Sequence, residues 1–320
     1  MTSANTAGKV SELLSIVRYH ITLVAMMAVI VFSFLLTGRY NLWLPILVGA
    51  DWFLINMTNR VTDIDEDQKN GIAGTAWVAR QKKAFLALCV AVFLGTLSLT
   101  FFYARQLFFL HILVQLIGVA YNYRLVPTFG GLRRFKELYF FKNFMSACIF
   151  VLTCIVYPLA LADYKMVLPL GALPCFIVFF LAFEITYEIL FDLRDVKGDR
   201  DEKIPTYPVV HGELASRRIV DALLVVSVVP MVVAFFLRWV GVRELLMIAA
   251  PMIQFLFYRP RYNRGLTPRD CIQITHLGSA LLIFYLVGTW AWNKAGLPEN
   301  IYVVGEPSTD GALENRIATK

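Results

Sequence analysis

The chain has 320 residues, of which 58% are hydrophobic, 14% aromatic and 17% charged, with a net charge of +7 and a mean hydropathy of +0.63. A soluble domain carries about 25% charged residues, so this composition excludes an ordinary water-facing globule, and it excludes a disordered chain or a cysteine-stapled secreted fold as well. Hydrophobic runs recur from Val17 to Trp292, which leaves no room for a separate soluble domain and marks an integral membrane protein.

A helix needs about 20 mostly apolar residues to cross a bilayer. Taken in chain order, nine segments read as spans: 19–37, 42–59, 84–104, 107–123, 139–162, 166–191, 219–237, 244–259 and 271–292. The expected fold is all-α, a polytopic bundle of nine transmembrane helices over residues 17–293. A segment over 1–16 precedes it and a polar tail over 294–320, mixing Gly, Pro, Glu and Asp, follows it. The first span is too long and too late for a cleaved signal peptide.

Orientation follows from the basic residues. The N-terminus, the loops after spans two, four, six and eight and the span ends that border them hold 22 of the 30 Lys and Arg. By the positive-inside rule this side is cytoplasmic. The net positive charge is thereby explained through loops facing anionic lipid headgroups, and no nucleic-acid partner is needed. Cys89, Cys148, Cys154, Cys175 and Cys271 all lie in apolar runs without a CxxC pair, as packing residues do. The four histidines are scattered, with no ligand spacing.

Ionisable residues at the ends of membrane spans are functional candidates, and two groups fall on the side read as cytoplasmic. The first ends span two. At 100° per residue, Asn59, Asp63 and Asp67 share one helical face, with Glu66 at its edge and Asp65 opposite. The second ends span six, where Glu184, Glu188, Asp192, Asp195 and Asp199 fall within an arc of about 80° while Asp201 points away. Five carboxylates on one face repel one another, so those nearest the cytoplasm need a cation. Asp65, Asp201 and Glu202 read as solvated loop charge. An oxygen-rich stripe of this kind suits a hard divalent cation, and Mg²⁺ usually takes one or two carboxylates together with substrate phosphate oxygens.

The pair Asn59-x3-Asp63-x3-Asp67 and Asp192-x2-Asp195-x3-Asp199 resembles the two aspartate-rich motifs of the UbiA superfamily of intramembrane prenyltransferases, which are nine-helix bundles. Lys203-Ile-Pro-Thr206-Tyr-Pro208 is similar to the segment that follows the family's second motif. Tyr121-Asn-Tyr, the basic loop after it and Lys142-Asn143 resemble the stretch between spans four and five. The resemblance covers about residues 10–292. Arg60 departs from it, standing where the family often has Asp. The Arg-Pro run after the first motif is replaced by Gly71–Lys83, and Tyr-Ser by Tyr121-Asn122. These departures bear on the acceptor more than on the diphosphate chemistry.

The resemblance implies that Asp63, Asp67, Asp195 and Asp199 are catalytic and that Asn59, Asp63, Asp67, Asp192, Asp195 and Asp199 hold Mg²⁺. The metal would bridge them to a polyprenyl diphosphate. A diphosphate would be repelled by bare aspartates, and divalent cations neutralise the charge of the departing group. Asn59 and Asp192 are expected at the substrate, with Arg133, Lys136 and Lys203, helped by Arg60 or Arg194, as candidate phosphate partners. Tyr121 and Tyr187 are expected to line the substrate pocket, and Trp52 and Phe191 are further aromatic candidates near the allylic cation. The implied reaction is Mg²⁺-dependent transfer of an isoprenyl group to a lipophilic acceptor, aromatic or isoprenoid, with membrane lipids around the bundle. A terpene cyclase that needs no acceptor would use the same motifs. An ion transporter is the alternative of another class. Transporters place their charged residues near the midplane in broken helices, whereas these clusters lie at span ends.

Overall fold

The computed structural model describes residues 13–297. Most of the expected leading segment (1–16) and of the polar tail (294–320) therefore lies outside the described residues. The first helix, α1 (Tyr19–Thr37), stops at Gly38, whose φ of 69° closes the end through an N–H bond to the Phe34 carbonyl, a left-handed cap that glycine adopts without strain. α2 (Leu44–Thr62) opens with Pro45 in its first turn, where a missing N–H costs nothing. Two short helices follow, α3 (Ile64–Lys69) and α4 (Thr75–Arg80). The hairpin of α5 (Lys82–Tyr103) and α6 (Arg105–Asn122) comes next. A small antiparallel ribbon, β1 (Val126–Thr128) and β2 (Gly131–Arg133), pairs Val126 with Arg133.

α7 (Phe141–Leu161) carries a π-helical turn over Leu152–Val156. α8 (Ala172–Asp201) is the longest helix at 30 residues. Then come α9 (Tyr207–His211), α10 (Glu213–Phe236), α11 (Val242–Leu245), α12 (Ala249–Tyr262) and α13 (Pro268–Lys294). Thr267 and Asp270 close a reciprocal capping box at the start of α13, satisfying donors that a helix start leaves unpaired.

All nine expected segments are helical, but not all are equally apolar. Among the described residues, six helices are long and apolar enough to cross a membrane: α1, α5, α7, α8, α10 and α13. The expected second, fourth and eighth spans fall short of that measure for visible reasons. α2 and α6 spend residues on a buried polar knot, in which Asp51 accepts from Gln115 Nε2 (2.7 Å) and Tyr157 Oη (3.0 Å) and lies 2.9 Å from His111 Nδ1. The eighth segment is broken into α11, a 3₁₀ turn at Leu246–Ile248, and α12.

The outside of the bundle is apolar, with Phe102, Phe109, Phe236 and Phe284 all exposed. That inverts a water-soluble surface and matches a lipid-facing one. The chain is a multi-pass integral membrane protein. Its core is aromatic where α1, α2, α7 and α8 meet: Trp52 lies against Phe150 with centroids 3.9 Å apart, and Phe32 meets Phe180 edge-on at 4.9 Å.

Candidate active site

The first carboxylate group is built at the junction of α2 and α3. The chain bends there, with Asp63 at φ −105° and ψ 26°, yet the i→i+4 bonding persists: Asp63 N–H reaches Asn59 O at 2.9 Å and Asp67 N–H reaches Asp63 O at 2.8 Å. Asn59, Asp63 and Asp67 therefore stay on one face. The second group lies on the unbroken α8. The two meet because α3 packs directly on α8. Gly198 is the contact point, since a Cβ there would fall 2.3 Å from Asn70 Oδ1.

Each carboxylate of the two stripes at this end of the bundle has a cationic partner, in several cases a shared one. Lys136 Nζ, itself buried, sits 2.6 Å from Asp63 and 2.9 Å from Glu66, and Arg134 approaches Asp63 at 3.4 Å. Arg60 is buried against Asp67 and also donates to the Ala73 carbonyl at 2.7 Å. Arg18 donates to Asn59 Oδ1 at 2.6 Å and lies 3.6 Å from Asp67. Across the gap, Lys142 spans Asp192 (2.8 Å) and Asp199 (3.3 Å), Asn143 donates to Asp192 at 2.7 Å, and Arg194 holds its neighbour Asp195.

These arrangements set opposing electrostatics in neighbouring groups. Burial pushes the Asp63 carboxyl above its ordinary range, although Lys136 opposes the shift. Burial acts on Glu66 in the same sense, but Lys136, Lys142 and Arg134 outweigh it and hold that carboxyl below its ordinary range. Desolvation disfavours a charge and an opposite charge restores it. Of these two, Asp63 is the one for which restoration is incomplete.

The candidate residues are not all placed alike. Asn59, Asp63, Asp67, Asp192, Asp195, Lys136, Tyr121 and Tyr187 line one cavity of about 660 Å³, as do Trp52 and Phe191. Asp199 is fully buried, outside the lining, behind Lys142. Arg133 is exposed on the ribbon, and it is the next residue, Arg134, that reaches Asp63. Lys203 is exposed beyond the end of α8, where Ile204 N–H closes on the Asp199 carbonyl at 2.8 Å. Arg60 faces inward to Asp67 instead of lining the cavity. Asp65, Asp201 and Glu202 are exposed, and Glu202 pairs with Lys69. Sequence reasoning missed Arg18 and Arg134 altogether, because each reads as one more positive-inside residue. It passed over Lys142 as a site residue although Lys142-Asn143 lies in a recognisable stretch.

From the carboxylates the cavity runs along an aromatic wall that includes Phe150, Phe180 and Phe183, and it ends near Tyr285 and Trp292 of α13. The motif side chains at its charged end offer amide and carboxylate oxygens as ligand atoms, a hard-donor set that fits Mg²⁺ and not a thiolate-seeking metal. Among the described residues no three His, Cys, Asp or Glu side chains converge tightly enough to hold an ion by themselves. Lysines and arginines stand between the carboxylates. Mg²⁺ bound through one or two carboxylates and a ligand's phosphate oxygens needs no such cluster.

The structure is thus a helical membrane bundle with a long aromatic cavity whose charged end lies between two opposed acidic helices. The family model described as the UbiA prenyltransferase family matches residues 25–277. The chain belongs to that family. Solved structures with the same fold include a UbiA homologue from Archaeoglobus fulgidus bound to GPP and Mg²⁺, with a TM-score of 0.65 and 18% identity over 86% of this chain and 97% of that one. The same homologue bound to DMAPP and Mg²⁺ gives 0.64 and 17%, covering 85% and 96%. A UbiA homologue from Aeropyrum pernix gives 0.57 and 14%, covering 86% and 98%. No curated protein matches the chain.

Proposed function

We propose that this protein is a Mg²⁺-dependent intramembrane prenyltransferase that moves an isoprenyl group from a polyprenyl diphosphate to a lipophilic acceptor. The carrying observation is the opposition of Asn59, Asp63 and Asp67 to Asp192 and Asp195 at one end of an aromatic cavity. The diphosphate belongs at that end and the hydrocarbon chain belongs among the rings. The binding of GPP or DMAPP together with Mg²⁺ by a UbiA homologue of the same fold supports this reading. The charged end is read as cytoplasmic, as the basic loops require.

Asn59, Asp63, Asp67, Asp192 and Asp195 are the residues read as holding Mg²⁺, with Asp199 fixing Lys142. The metal's chemistry there is to neutralise the diphosphate as it leaves. Lys136, Arg134, Lys142 and Arg18 are already gathered at that end and move from carboxylate to phosphate partners when a diphosphate arrives, as charge-assisted donors. Trp52, Phe150, Phe180, Phe183 and Tyr187 exclude water from the allylic cation and present ring faces to it. Tyr121 lies between the two parts.

The test uses the purified full chain in detergent with Mg²⁺ and a panel of prenyl diphosphates, with and without quinone precursors and isoprenoid alcohols. Diphosphate release and products are followed by mass spectrometry. The expected result is turnover that requires both acceptor and Mg²⁺, stops on chelation, and is absent from an Asp63→Ala/Asp195→Ala double variant. A terpene made without any acceptor would replace the transferase reading by a cyclase. Turnover that survives the double variant would overturn the site.

A further inference from the structure

The ribbon between α6 and α7 has one apolar face that the rest of the chain leaves open. In its antiparallel register Val126 pairs with Arg133, Pro127 with Leu132 and Thr128 with Gly131. Side chains alternate across a strand, so Pro127 and Leu132 share one face while Val126, Thr128 and Arg133 share the other. Leu125, two positions before Pro127, extends the first face. Leu125 is 54% exposed, Leu132 is 60% exposed, and Phe129 is wholly exposed. Thr128 Oγ1 donates to the Gly131 carbonyl at 2.6 Å, which closes the turn and leaves the Phe129 ring at the tip. An apolar face of this kind is unfavourable in water and marks an interaction surface.

That face continues a surface already assigned to lipid. On α6, Phe109, Leu113, Leu116 and Val119 are exposed at spacings of three and four residues, which is one side of a helix. Tyr123 and Leu125, also exposed, carry the strip past the end of α6. On the return, Tyr139, Phe140 and Phe141 are exposed where α7 begins. The ribbon thus leaves and re-enters the bundle among exposed aromatic side chains, as membrane–water interfaces favour. Arg133 is exposed on the opposite face. We propose that β1 and β2 lie in the headgroup layer of the protein's own membrane. Leu125, Pro127, Phe129 and Leu132 dip among the acyl chains, and Arg133 turns to lipid phosphates.

The anchor bears on the acidic rim because the ribbon runs straight into it. Arg134 follows β2 and reaches Asp63 at 3.4 Å. Two residues later Lys136 sits 2.6 Å from Asp63 and 2.9 Å from Glu66. Glu137 ties the foot of the ribbon together, lying 2.9 Å from Arg134 and 3.2 Å from Arg124. A ribbon held in the membrane fixes the start of this loop, so less ordering entropy is lost when its two cations meet the carboxylates or a ligand. The lipid surface is thereby part of what holds the charged rim in shape. The anchoring does not depend on what the rim binds; its effect on diphosphate binding rests on the prenyltransferase reading above.

The experiment attaches an environment-sensitive fluorophore to Phe129→Cys in the full chain, in nanodiscs of phosphatidylcholine and phosphatidylglycerol. Wild type carried through the same labelling is the blank for the native cysteines, and Asp201→Cys, exposed at the end of α8, is the water reference. The label at 129 is expected to emit at shorter wavelength than the label at 201. It is also expected to be quenched by lipids spin-labelled at the acyl boundary, about 5–10 Å deep. Leu125→Asp/Leu132→Asp changes two exposed positions, so it is expected to melt with the wild type in detergent and to return the label at 129 to water. The same double variant is expected to bind a non-reacting prenyl thiodiphosphate with Mg²⁺ about tenfold more weakly, a loss of about 1.4 kcal/mol. A label at 129 that matches the one at 201 overturns the anchoring and leaves the face open to a soluble protein partner. A label that stays in lipid in the double variant overturns the role given to this face. Full thiodiphosphate affinity in a double variant whose label has moved to water overturns the link to the rim. A wild type that binds no thiodiphosphate overturns the prenyltransferase reading instead, and the depth measurement still decides the anchoring.

Discussion

Asp63 holds a strained charge at the rim. Its carboxyl is raised by burial above the ordinary 3.8, so the stability it contributes is present below that value and is lost as pH rises through the raised one. At neutral pH the charged form therefore costs stability in the ligand-free protein. Asp63→Asn keeps the shape and leaves Lys136 with Glu66 at 2.9 Å. We expect the ligand-free variant to melt higher at pH 7, by ~2–4 °C for each kcal/mol released, while Mg²⁺-dependent diphosphate binding disappears. An unchanged or lower melting temperature at pH 7 would refute this account of Asp63. Arg60 poses the opposite case. It is buried on Asp67, Ala73 and Thr75, so placing there the aspartate common at that position in the family would set two carboxylates together with only Arg18, 3.6 Å from Asp67, to offset them. Arg60→Asp is expected to destabilise the chain by roughly 3–5 kcal/mol, the cost of breaking a buried pair, measurable as reduced yield and melting temperature in detergent.

The element that joins the two motifs is the contact of α3 with α8. Gly198 makes it possible, because any side chain there runs into Asn70. Gly198→Ala is expected to push α3 away from α8 and to weaken Mg²⁺-dependent diphosphate binding about tenfold or more, a loss of at least about 1.4 kcal/mol. The offending atoms all belong to the Asn70 side chain beyond its Cβ, so adding Asn70→Ala should restore much of the binding. A double variant no better than Gly198→Ala alone would show that the glycine matters for another reason. At this scale helix patterning is informative but incomplete. The shared face of Asn59, Asp63 and Asp67 follows from periodicity, and it survives the bend at Asp63 only because the i→i+4 bonds continue through it.

Across the whole molecule the cavity runs from the charged rim to the far end of α13. Gly288 lines that far stretch, and a Cβ placed there meets nothing within 4 Å. Gly288→Phe should therefore fold normally and shorten the hydrocarbon chain that fits. We expect kcat/KM for C20 diphosphates to fall at least about tenfold while C5 and C10 diphosphates are little affected. Equal losses for all chain lengths would mean that the chain does not run toward α13. The same view explains why α2 and α6 carry so much polarity. Asp51 accepts from Gln115 and Tyr157 and lies beside His111 inside the bundle, and buried polar groups in a membrane are tolerated where protein surrounds them.

The sequence by itself determined the membrane class, the position of every long helix and the two acidic stripes. Those features depend on local periodicity and on the length of apolar runs, which are written directly in residue order. It also placed most of the cavity-lining candidates, because a carboxylate at a span end has few reasons to be there except function. The tertiary structure alone decided which cations meet which carboxylates. Arg134 and not Arg133 reaches Asp63, Arg18 joins from before the first long helix, Asp199 lies behind Lys142, and Lys203 stands outside. Basic residues are common in such loops for topological reasons, so their partners depend on how the loop folds back and not on their spacing.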